Sequence, residues 1–85
     1  MSKIEKLIHR LHSKPKDFTW DEMKKVLKHY HYEEISSGIT GGSRRRFVNP
    51  KNIVISLHEP HPARVLKRYQ LDIVIEHLKK NDSLV

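Results

Sequence analysis

Two clusters in this chain carry chemistry. The first is a Gly-rich, triply basic stretch, Gly42-Ser43-Arg44-Arg45-Arg46, and the second is the pair His58 and His61. Guanidinium groups bind phosphate oxygens bidentately, and glycine lets backbone N–H groups approach an anion closely. A histidine with a pKa near 6.5 acts as general base or general acid at neutral pH. Arginines beside it stabilise the charge that develops on a phosphorus centre under attack. In RNA the nucleophile is the substrate's own 2′-hydroxyl, which DNA lacks. Gly42, Ser43, Arg44, Arg45 and Arg46 are therefore the candidate phosphate contacts. His58 and His61 are the candidate catalytic groups.

Each motif also has a plainer reading. Gly-Gly-Ser is not a P-loop, because the Gly-x-x-x-x-Gly-Lys-Ser/Thr spacing and a following helix are missing. Contiguous arginines also protect an edge strand from aggregation, and a histidine at a strand end is often structural. His58-x-x-His61 is not a zinc-protease motif, since Pro60 blocks the helix that motif requires. His9 and His12, one helical turn apart, read as a solvated flank. No metal and no cofactor is expected.

The chain has 85 residues, enough for one domain (1–85) with a stability of roughly 5 kcal/mol. Seventeen Lys and Arg against ten Asp and Glu leave a net charge of +7, which points to a polyanionic partner. A soluble protein that is merely basic is the alternative. There is no cysteine, so disulfides and thiolate metal sites are excluded. Neither a signal peptide nor an apolar run of membrane-spanning length is visible, so a cytoplasmic protein is expected.

The elements that must position these groups follow from periodicity. Ile4, Leu7, Ile8 and Leu11 line one face of a helix over 2–12, with Ser2 as cap, so that residues 1–14 form an N-terminal helical segment. A second helix starts after Thr19, which forms a capping box with Glu22. Its stripe is Trp20, Met23, Val26, Leu27 and Tyr30, with Trp20 read as core. Lys24, Lys25 and Lys28 lie elsewhere on that helix, as phosphate contacts or as a solvated face. Weak alternation near Tyr32 to Ser36, then Arg45 to Asn49, then Ile53 to His58, predict three strands in an antiparallel meander. Leu71, Val74, Ile75 and Leu78 predict a last helix ending near Lys80. The fold class is α+β, a three-stranded sheet with helices on one face. Alternation buries Phe47, Ile53, Ile55 and Leu57 and leaves Arg44, Arg46, Ser56 and His58 on the open face.

Gly42-Ser43-Arg44-Arg45-Arg46-Phe47, then Ile55-Ser56-Leu57-His58, then a C-terminal amphipathic helix, resemble the HicA (YcfA-like) toxins over residues 19–80. The resemblance implies a double-stranded-RNA-binding-domain-like α-β-β-β-α core. It implies a messenger-RNA endonuclease of a toxin–antitoxin system, neutralised by a HicB-like antitoxin. The family's motif is Gly-Ser-His, and Arg44 stands here where its histidine would be. Arginine stays protonated and cannot serve as a base. Either the proton transfer falls to His58 or His61, or the domain binds RNA without cutting it.

Overall fold

The computed structural model describes residues 2–35, 44–60 and 64–81. Ser2 accepts the Glu5 amide at 3.2 Å and opens α1 (Lys3–His12), of which Leu11 is fully buried. Thr19 and Glu22 form the expected capping box and open α2 (Trp20–His29). Three strands follow, β1 (Glu33–Ile35), β2 (Arg44–Val48) and β3 (Val54–His58), and then α3 (Arg68–Asn81). Strand order is β1-β2-β3, antiparallel throughout, so the anticipated meander is present.

Register decides which side chains the sheet buries. Phe47 stands opposite Ile55 and Arg45 opposite Leu57, while Arg46 faces Ser56 and Arg44 faces His58. Phe47, Ile55 and Leu57 enter a core built with Trp20, Met23, Val26, Leu27, Leu71, Val74 and Leu78. Trp20 is buried and its ring centroid lies 5.9 Å from that of Phe47, which makes it a core aromatic. Ile53 departs from expectation. It precedes β3 and is only half-buried, because the chain there is still completing the turn.

That turn is organised by Asn49. Its side-chain oxygen accepts the amides of Lys51 (3.0 Å) and Ile53 (2.9 Å), and its carbonyl accepts the Asn52 amide at 2.9 Å. Asn52 sits at φ 64°, the left-handed residue that follows a type I turn and closes a bulged hairpin. Asn49 is buried, and these bonds satisfy it.

Two contacts join segments that periodicity leaves separate. Residues 64–66 run beside the start of α2: Trp20 donates to the Arg64 carbonyl (3.0 Å) and Leu66 to that of Phe18 (2.9 Å). Arg10 of α1 reaches Glu22 at 2.7 Å, pairs with Asp17, and lies over the Phe18 ring. Burial raises the Glu22 pKa, but the Thr19 amide, the Thr19 hydroxyl and Arg10 outweigh it and hold the carboxyl below its usual value.

A carboxyl depressed in the folded state stabilises above its unfolded pKa, and that stabilisation is lost as pH falls through the folded value. Glu22→Gln is therefore expected to lower the melting temperature at pH 7, while the gap to the parent narrows below about pH 4. Thermal melts of both proteins across that range check it; a gap independent of pH refutes the ion-pair account.

Candidate functional site

The open face of the sheet carries a compact basic group. Arg44 and His58 are directly opposed across β2 and β3, and Arg46 and Ser56 form the next outward-facing pair. Opposed residues in an antiparallel ladder have Cβ atoms about 5 Å apart, so both rows lie within reach of one phosphodiester. All four side chains are exposed. Neither Arg44 nor Arg46 makes an ion pair among the described residues.

Arg45 goes to the other side, as strand alternation requires. Its Nε donates to Glu59 at 3.1 Å, and its guanidinium lies 3.8 Å from Glu34. Glu59 is only 11% exposed and also holds Arg64 at 3.5 Å. Arg45 thus fixes the end of β3 instead of facing the open surface. Gly42, Ser43 and His61 lie outside the described residues.

The His58 backbone is held from behind. Gln70, buried at 3% exposure, donates from Nε2 to the His58 carbonyl at 2.8 Å. The same side chain accepts the Lys67 amide at 2.9 Å and so caps α3. One amide joins the last residue of β3 to the first turn of the helix, while Glu59 anchors the next position. The imidazole of His58 projects from a fixed backbone into solvent. Sequence reasoning missed Glu59 and Gln70; the one available signal was a glutamine at the polar start of an amphipathic helix.

A second basic feature lies between α2 and β1. A groove of about 710 Å³ is lined by Lys24, Lys25, Lys28 and His31 on one side, and by Tyr32, Glu33, Glu34, Phe47 and Val48 on the other. None of the described residues of β1 is buried. Lys24 and Lys28 are four apart on one helix, a like-charge spacing that costs about 0.2–0.5 kcal/mol. None of the three lysines makes an ion pair among the described residues.

The end of α2 places His31 at this groove through backbone geometry. Tyr32 donates to the Leu27 carbonyl and His31 to that of Lys28, both at 2.9 Å, which is a Schellman motif. Its left-handed position is His31, at φ 68°, where glycine is usual. A residue with Cβ costs about 1–2 kcal/mol there. The groove thus collects three unpaired ammonium groups and a histidine at some expense to stability.

Among the described residues no group of three His, Asp or Glu side chains stands close enough to hold a metal ion. No helix among them is long and apolar enough to cross a membrane. Comparison with family models, with curated proteins and with solved structures finds no match to this chain.

Two stability outcomes follow from this geometry. Gln70→Leu leaves the His58 carbonyl and the Lys67 amide without their partner, at a cost of about 1–3 kcal/mol. In a domain of this size that lowers the melting temperature by at least 4–8 °C, at roughly 4–8 °C per kcal/mol. His31→Gly relieves the left-handed backbone and is expected to raise the melting temperature by a similar first increment, about 4–8 °C for 1 kcal/mol. Calorimetry on the two variants reads both, and a stable Gln70→Leu protein would refute the clamp.

Proposed function

We propose that the open sheet face binds RNA and that His58 takes part in cleaving it without a metal ion, as the HicA resemblance implies. The observation that carries this reading is the direct cross-strand opposition of Arg44 and His58, with Arg46 one row away. The edge-protection explanation loses its basis for Arg46, because β2 is the central strand and is paired on both sides from Arg46 to Val48. The free edge of β1 carries charges of its own, Glu33 and Glu34. Two unpaired guanidinium groups on a central strand serve a ligand, and a basic protein selects a polyanion.

In this reading Arg44 and Arg46 grip one phosphate of the chain. His58 removes the proton from the adjacent 2′-hydroxyl, and the 2′-oxygen attacks phosphorus. The P–O5′ bond breaks, leaving a 2′,3′-cyclic phosphate and a 5′-hydroxyl whose proton comes from the imidazolium or from water. The arginines stabilise the extra negative charge in the transition state. The double-stranded-RNA-binding-domain-like core, messenger RNA as substrate, a cytoplasmic setting and a HicB-like antitoxin partner belong to the same proposal. They rest on the resemblance over residues 19–80.

One observation favours a second reading, RNA binding without cleavage. Arg44 occupies the place of the family's motif histidine, so the open face among the described residues offers a single imidazole where an acid and a base are both useful.

Expression in cells and incubation with RNA in the presence of chelator test both. Cleavage with cyclic-phosphate ends is expected for the parent, with a loss of roughly 10²-fold or more in His58→Ala at unchanged RNA affinity. Arg44→Ala is expected to weaken binding and cleavage together. Tight, salt-dependent binding with intact RNA selects the second reading, and a salt slope near zero refutes both.

A further inference from the structure

We infer that the lysine groove beneath β1 holds the backbone of the same RNA that crosses the open face, with the strand passing over the β1 edge, so that the ligand is unpaired RNA. The inference rests on the RNA reading above and names its substrate class. β1 separates the two basic surfaces. Arg46 stands opposite Ile35, so the outward-facing arginine is one strand from the edge, about 5 Å. On the other side of that strand lie Glu34 and Phe47, which line the groove, with Lys24, Lys25 and Lys28 as the facing wall. Glu33 and Val48, whose side chains alternate with Glu34 and Phe47, line it as well, so the groove reaches the edge. No described strand pairs with the far side of β1, and the strand is three residues long.

The occupant follows from charge and stiffness. Lysine ammonium groups bind phosphate as point charges, without the planar fork that arginine offers to phosphate and carboxylate alike. A groove of about 710 Å³ admits a nucleotide and is too large for a lone phosphate. A double helix, stiff over about 50 nm in the case of DNA, does not fold around an edge one strand wide. A flexible single strand does, and sites for such strands span about 4–16 nucleotides. Glu34 is occupied by Arg45, which leaves Glu33 as the opposing charge on the path without an ion pair among the described residues.

The test uses the whole protein with a labelled twelve-nucleotide oligouridylate, 2′-O-methylated so that it is not consumed, and a hairpin duplex of equal length. The combined variant K24A/K25A/K28A is expected to bind the single strand roughly tenfold or more weakly, with a log-log salt slope shallower by about 2. Its melting temperature should not fall, since the three lysines are exposed. Glu33→Gln should bind a few-fold more tightly, and the duplex should bind more weakly than the single strand. If the lysine variant matches the parent while Arg44→Ala with Arg46→Ala loses binding, the wrapped path is wrong and the sheet-face reading survives. If the parent binds neither RNA, that reading fails and this inference with it. Preference for the duplex overturns the inference, as does displacement by polyglutamate as effective as by polyuridylate, which assigns the groove to an acidic protein.

Discussion

The pairing of β2 with β3 is the constraint on which the rest depends. Because side chains alternate strictly along a strand, placing Phe47 against Ile55 in the core forces Arg46 against Ser56 and Arg44 against His58 outside it. A one-residue slip of β2 would turn Arg44 and Arg46 inward and Phe47 outward, and burying two unpaired guanidinium groups alone exceeds the stability of a domain this small. The Asn49 turn defends the register at one end, where its side chain accepts the Lys51 and Ile53 amides and so closes the hairpin. Burial of Phe47 against Trp20 defends it from the helical side. The candidate site is thus a consequence of core packing, and its geometry is as robust as the core.

The other end of the ladder is held by polar contacts. Gln70 takes the His58 carbonyl, and Glu59 takes Arg45 and Arg64 together. Two cations on one largely buried carboxylate offset its desolvation, as a buried charge requires. Arg64 continues outward to Asp21 at the start of α2, and its carbonyl accepts the Trp20 amide. A connected path therefore runs from the end of β3 to the first turns of α2 and α3. It explains why a segment with two prolines and no periodicity leads to a well-placed helix.

Much of this was legible because the local signals agree with one another. The Ser2 cap, the Thr19–Glu22 box and the apolar stripes fix both early helices to within a residue, and β-branched residues mark β3. Alternation alone assigned Arg44, Arg46, Ser56 and His58 to one face. The misses are equally instructive. Ile53 looks like a strand residue, but the turn before it is long enough to hold it back. Arg45 looks like its neighbours until Glu59, fourteen positions away, claims it. Gln70 and the pairing of residues 64–66 with 18–20 depend on contacts between distant segments, which no local pattern encodes. The lysine groove was visible only as a polar helix face, because periodicity does not show which strand forms its opposite wall.

The exposure of β1 bears most on how charge is distributed. A β1 with a covered inner face would have brought Lys24, Lys25 and Lys28 against packed side chains, where unpaired ammonium groups are expensive. With none of its described residues buried, β1 leaves them solvated and concentrated along one wall. Their mutual repulsion, together with the left-handed backbone at His31, is then a modest standing cost carried by a chain with little stability to spare. An anion in the groove removes the repulsive part of it, and binding restricted to the folded state stabilises that state by mass action. Arg44 and Arg46 stand in the same condition on the far side of β1. On the proposed reading the two surfaces answer to one kind of ligand, and the thin edge between them lets a single flexible polyanion satisfy both.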